Sequence, residues 1–90
     1  MSDMRDNPER HRFELDADGH TAFSEYGRAG DVLTIMHTEV PQALAGRGIG
    51  SALARGLLDL ARARGLKVKP VCPFVAGYID KHPEYADLRV

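Results

Sequence analysis

Apolar and polar residues alternate through the first half of the chain and then switch to a helical period. Arg12 to Asp16 reads polar, apolar, polar, apolar, polar, which places Phe13 and Leu15 on one face of a short predicted strand. Asp16 to Gly19 supplies a turn. His20 to Tyr26 alternates less cleanly, with Ala22, Ser24 and Tyr26 opposite Thr21, Phe23 and Glu25, and Gly27 to Asp31 predicts the next turn. Asp31 to Val40 carries Val32, Leu33, Thr34, Ile35 and Met36 in succession, so it predicts a third, more buried strand that ends at Pro41. From Ile49 the apolar positions become Ile49, Leu53, Leu57, Leu60 and Ala61, the stripe of an amphipathic helix running to Arg64. Arg62 and Arg64 suit its negative end, and Gly65 stops it. Leu66 to Cys72 predicts a fourth strand, and Pro73 opens a second helix to about Lys81, closed by Pro83. Residues Met1 to Glu9 are polar, contain Pro8 and are expected to form a loose leader. The order of three strands, helix, strand, helix predicts an α/β (α+β) fold: a mixed, mainly antiparallel sheet with two helices.

Composition narrows the class. Ninety residues suit a single domain, 1–90, with a thin core, so a monomer or a weak dimer is expected. The 12 basic and 13 acidic residues nearly cancel, leaving no basic field of the kind that nucleic acid binding needs. No run approaches the ~20 apolar residues of a membrane span, and the polar opening carries no export signal. The one cysteine, Cys72, has no disulfide partner in the chain, which suits a cytoplasmic, reducing location.

The densest chemical signal lies between the third strand and the main helix, in Val40-Pro41-Gln42-Ala43-Leu44-Ala45-Gly46-Arg47-Gly48-Ile49-Gly50-Ser51. Glycines at alternate positions leave backbone N–H groups uncovered, and the following helix directs its positive end at the same point, so an anion is favoured there. Arg47 adds a fork of charged donors and Ser51 a hydroxyl. A P-loop requires Lys then Ser or Thr after its last glycine, but Gly50 is followed by Ser51-Ala52. A dinucleotide fingerprint needs two residues before its third glycine, where this loop has one. A flexible turn with tight helix packing is the alternative reading of the same glycines.

The run from Val40-Pro41 through Gly48-Ile49-Gly50 to Ser51-Ala52-Leu53 resembles the acyl-CoA-binding motif of the GNAT superfamily of N-acetyltransferases: Gln or Arg, two residues, Gly, one residue, Gly or Ala. Gly48 and Gly50 match its glycines, while its first position falls on Ala45. Lys69-Pro70-Val71-Cys72-Pro73-Phe74-Val75, with His82-Pro83-Glu84-Tyr85, resembles the small one-domain branch of that superfamily, and the likeness covers Leu33 to Leu88. The resemblance implies a GNAT-like acyl-CoA-binding fold and acetyl-CoA as co-substrate. It places the pyrophosphate on Val40, Ala45, Gly46, Arg47, Gly48, Ile49, Gly50 and Ser51, with Arg47 either replacing the longer side chain that the motif has where Ala45 stands or pointing to solvent. It also implies a splayed strand over Met36 to Val40 that contacts pantetheine through its backbone, and a small-molecule or peptide amine as acceptor.

Acetyl transfer needs a neutral amine, a fixed thioester carbonyl and a proton for the departing thiolate. His37, just before the loop, is a candidate general base, a position where the small branch often carries histidine; it reads equally as a partly exposed histidine bonded to backbone. Cys72 precedes a helix start, where the dipole favours thiolate, and also reads as a small buried hydrophobe. Two roles compete for it, nucleophile or proton donor and pocket wall, and direct transfer with Cys72 beside the thioester is the expected one. Larger relatives use a tyrosine on the last helix. Tyr78 falls one residue early, which turns a helical side chain by about 100 degrees, and Tyr85 is expected to pack. His11, His20 and His82 lack zinc-site spacing, so no metal is expected. The competing function is a CoA-binding module that senses acyl-CoA or regulates a partner without catalysis.

Overall fold

The computed structural model describes residues 4–90. Five strands, β1 (Met4–Asn7), β2 (Arg12–Ala17), β3 (His20–Ala29), β4 (Val32–Glu39) and β5 (Lys67–Pro70), form one sheet in the order β1-β2-β3-β4-β5. All neighbours run antiparallel except β4 and β5, which are parallel and joined by helix α1 (Ile49–Ala63). Helix α2 (Pro73–Lys81) follows β5, and a 3-10 segment, Pro83–Leu88, closes the chain against α1. The mixed, mainly antiparallel sheet with two α-helices is the expected architecture.

The helix-covered face of the sheet carries Phe13, Leu15, Ala22, Tyr26, Leu33, Ile35 and Val68, packed in one core with Leu53, Leu57 and Leu58 of α1 and Val75 and Ile79 of α2. Each fully buried leucine of this set contributes on the order of 1.5–3 kcal/mol of transfer free energy. The buried stripe of α1 is wider than Leu53, Leu57 and Leu60: Leu58 is fully buried and Leu60 only half-buried, because the closing segment and α2 flank the helix as well as the sheet. Tyr85 from that segment donates its hydroxyl to Asp59 at 2.7 Å, and Arg62 grips Asp87 with two bonds of 2.9 Å.

Two expectations are corrected. The loose leader fails over residues 4–9: Met4–Asn7 is an edge strand paired with β2 from Met4↔Leu15 to Asn7↔Arg12, and Pro8–Arg10 is a 3-10 turn. Its polarity has a structural use, since Arg5 pairs with Glu14 at 2.8 Å and Asp16 at 2.5 Å, and Asp6 accepts the Tyr26 hydroxyl at 2.6 Å. Met1 to Asp3 lie outside the described residues. The turn expected over Gly27 to Asp31 contracts to Gly30 and Asp31, because β3 continues through Gly27 to Ala29 in register with β4.

Candidate cofactor and active site

Helix α1 begins where the glycines need it to begin. Gly48, its N-cap, has φ +72°, a left-handed conformation that an L side chain adopts at a cost. The first bond into the helix is from the Ala52 N–H to the Gly48 carbonyl at 3.0 Å, which leaves the N–H groups of Ile49, Gly50 and Ser51 as end-of-helix donors. Gly50 is required by close approach: a Cβ there would lie 2.9 Å from Phe74 Cζ and 3.4 Å from Val40 Cγ2. Ahead of the helix, a 3-10 turn at Gln42–Leu44 buries the Leu44 side chain and so anchors the loop.

These residues enclose a pocket of about 260 Å³ lined by Val40, Leu44, Ala45, Gly46, Gly48, Ile49, Gly50, Ser51 and Phe74. Of the residues the sequence singled out for the cofactor, seven line this pocket together. Arg47 does not: it is half-exposed and its guanidinium pairs with Asp18 in the β2–β3 turn. Leu44 and Phe74 are additions; a leucine inside a glycine-rich loop is the one hint of the first that the sequence offers. A second pocket of about 280 Å³ adjoins it, lined by Ser51, Pro73, Phe74, Gly77, Tyr78, Lys81 and His82.

Beside the loop the sheet opens. The parallel ladder ends at Ile35↔Pro70, the Cys72 N–H makes a last bond to the Ile35 carbonyl at 2.8 Å, and β4 continues alone on that side to Glu39. The register between β3 and β4 passes from Tyr26↔Ile35 to Glu25↔His37, so Met36 is an extra, bulged residue at the start of the opening. The bulge reverses the facing of the residues after it. Thr38 turns to the helix-covered side, sharing a 2.6 Å hydrogen bond with Ser24 and accepting one of 3.4 Å from Cys72 Sγ, itself buried.

His37 turns the other way. It pairs in register with Glu25 and lies near Phe23 (ring centroids 6.4 Å) and Glu39 (3.5 Å), on the face that bears no helix. The sheet therefore stands between the His37 imidazole and the Cys72 thiol, and neither residue lines the two pockets. On the same open face, Glu14 is almost fully buried yet ionised: burial pushes its carboxyl up, but hydrogen bonds from Arg12 and Asn7 and the charges of Arg12 and Arg5 outweigh that and hold it below the usual glutamate range.

Tyr78 lies on α2, stacked on His82 with ring centroids 3.9 Å apart, while His82 donates Nδ1–H to the Tyr78 carbonyl at 2.8 Å. Partial burial raises the Tyr78 phenol above its ordinary range, with the Arg55 charge opposing. Tyr85, expected to pack, is buried, and its phenol is pushed up to about 12 by burial and by its bond to Asp59. Among the described residues no group of three or more His, Cys, Asp or Glu is arranged to hold a metal ion, and no helix is long and apolar enough to cross a membrane.

Comparison with known proteins agrees with this geometry. The sequence profile described as GCN5-related N-acetyl-transferase matches residues 12–88. Protein NATD1 of Homo sapiens is 36% identical over 52 residues, covering 58% of this chain and 46% of that protein. Protein NATD1 of Danio rerio is 33% identical over 55 residues, covering 59% and 50%. The match thus spans about half the length of these curated relatives. The solution structure of a GCN5-like protein from Staphylococcus aureus superposes with a TM-score of 0.74 over 98% of this chain and 87% of that one, at 24% identity, a likeness of fold.

Proposed function

Because the chain belongs to the GCN5-related N-acetyltransferase family, its profile covering residues 12–88, we propose that it is an acetyl-CoA-dependent N-acetyltransferase acting on a small-molecule or peptide amine. The observation that carries the reading is the pocket at the start of α1, where the glycine loop, the free N–H groups of Ile49, Gly50 and Ser51 and the opening between β4 and β5 adjoin. The residues present fit a pyrophosphate followed by a narrow, uncharged arm. The N–H groups and the helix dipole attract the phosphates, and the edge of β4 turned away from β3, which has no partner strand from Met36 to Glu39, offers backbone hydrogen bonds to amides.

Acetyl-CoA supplies an activated acyl thioester when bound. The chain's own groups divide by face. Cys72 and Thr38 lie on the helix-covered side, where Cys72 walls the thioester end of the opening and the Cys72–Thr38–Ser24 bonds fix its thiol. His37 lies on the open side, where an amine approaches without crossing the cofactor and gives up a proton to Nε2. Arg47 assists the phosphates only by leaving Asp18. The separation of His37 from Cys72 and the lack of a side chain at Ala45 favour a second reading, a CoA-binding module without turnover.

Incubation of the parent protein and His37→Ala with acetyl-CoA and a panel of amines, followed by mass spectrometry, separates the readings. Acetylated amine formed by the parent and lost with His37→Ala supports the enzyme. Saturable acetyl-CoA binding with no product from any amine supports the module, and an acetyl adduct on Cys72 replaces direct transfer with transfer through the thiol.

A further inference from the structure

The bulge at Met36 sets Ser24 and Thr38 opposite each other in register on the helix-covered side of the sheet, where their hydroxyl oxygens stand 2.6 Å apart. Counting protons fixes the direction of that bond. The Ser24 side chain is fully buried, and the Thr38 hydroxyl is the one partner its own hydroxyl has among the described residues. Had Thr38 donated, the Ser24 proton would be buried with no acceptor, which costs more than a hydrogen bond returns. Ser24 therefore donates and Thr38 accepts.

Thr38 Oγ1 also accepts the Cys72 thiol proton, at 3.4 Å. Both of its lone pairs are thus taken by buried groups, and its own proton is the one that remains to be given. Ser24 and Cys72 are buried, whereas Thr38 is only half-buried. It lies on the stretch of β4 that no longer pairs with β5, past the Ile35↔Pro70 end of the parallel ladder. A hydroxyl in that state, beside the opening, fits a ligand atom that accepts and does not donate.

We infer that the Thr38 hydroxyl donates a hydrogen bond to the carbonyl oxygen of the acyl thioester, which makes Thr38 a catalytic residue in addition to His37. No proton is transferred: the Oγ–H bond stays intact, and the charge that develops on the carbonyl oxygen as an amine attacks its carbon meets a fixed donor. Of the atoms at the thioester end, the oxygen is the strong acceptor and the sulfur a weak one. The inference rests on the cofactor reading above. It gives the Ser24–Thr38–Cys72 chain a use beyond packing, since Ser24 and Cys72 occupy the acceptor sites of the oxygen and leave its proton for the ligand.

Infrared spectra of acetyl-CoA isotopically labelled at the acetyl carbonyl, bound to the full chain, read the thioester C=O stretch directly, while isothermal titration follows binding. The variants are Thr38→Ser, which keeps the hydroxyl, and Ser24→Ala/Thr38→Val, which removes both hydroxyls and so orphans neither. The stretch is expected to move to lower frequency on binding to the parent and to Thr38→Ser, and to return toward its free value in the double variant. That variant is expected to lose about three- to tenfold in affinity for acetyl-CoA and none for CoA, which lacks the acetyl group. An equal stretch in the parent and the double variant overturns the inference and leaves the cofactor reading standing. A lowered stretch that Thr38→Ser loses, while it melts with the parent and binds CoA, overturns the assignment to the hydroxyl. Failure of the parent to bind either ligand overturns the cofactor reading and this inference with it.

Discussion

Alanine at Gly48 and at Gly50 has unequal consequences for stability, although the two glycines are two residues apart. A Cβ at Gly48 meets nothing within 4 Å, so its cost is conformational only: the φ of +72° is retained by an L residue at roughly 1–2 kcal/mol. At about 4–8 °C per kcal/mol for a domain of this size, Gly48→Ala melts roughly 4–16 °C below the parent. Gly50 has ordinary helical φ, and replacing a helical glycine by alanine stabilises by up to about 1 kcal/mol. Against this, the new Cβ stands 2.9 Å from Phe74 Cζ and 3.3 Å from Cε2. That ring is half-exposed and swings outward at a rotamer cost of about 0.5–1.5 kcal/mol. The two terms nearly cancel, and Gly50→Ala is expected within about 1 kcal/mol of the parent while losing CoA affinity, because the displaced ring is a wall of the pocket. Calorimetric melts of both variants, with and without CoA, check the order. Gly50→Ala melting well below Gly48→Ala would refute the reasoning, for it would mean that Phe74 is locked in place.

Packing and charge carry two more expected outcomes. Glu14→Gln removes a carboxylate whose folded pKa is depressed, so its contribution is present above the ordinary glutamate range and fades as pH falls through the folded value. Urea denaturation at neutral pH should show a loss of about 1–3 kcal/mol that narrows in acid, and a gap independent of pH would contradict the assignment. Leu57→Ala empties a fully buried position between helix and sheet and should cost about 2–5 kcal/mol, enough to unfold part of the population of so small a domain at 37 °C. A loss under 1 kcal/mol by the same method would mean that the core under α1 is looser than its burial implies.

The parts of the molecule decided by local pattern were legible in the sequence. The alternation around Phe13 and Leu15, the switch of period at Ile49 and Pro73 at a helix start all correspond to elements found, and the glycines of the loop line one pocket together. What escaped depends on partners distant in sequence. Met4–Asn7 reads as leader because its residues answer Glu14, Asp16 and Tyr26 rather than alternating among themselves. The bulge at Met36, which sends His37 and Thr38 to opposite faces, is a property of pairing with β3, and no residue of β4 announces it. Arg47 looks like a phosphate ligand until Asp18, in a turn of another hairpin, is brought beside it. The second pocket is likewise a tertiary product: Tyr78, a near miss of a family position, acquires its setting from Ser51, Lys81 and His82.

The claim on which the proposed function depends is that an acyl-CoA is held at the start of α1 and along the opening between β4 and β5. Titration of the isotopically labelled protein with acetyl-CoA, followed by amide nuclear magnetic resonance, reads this residue by residue. The expected result is saturable shifts concentrated at Met36 to Val40, at Leu44 to Ser51 and at Phe74, with β1 and the Pro8–Arg10 turn unmoved. An unchanged spectrum at millimolar acetyl-CoA, or shifts confined to other residues, would contradict it.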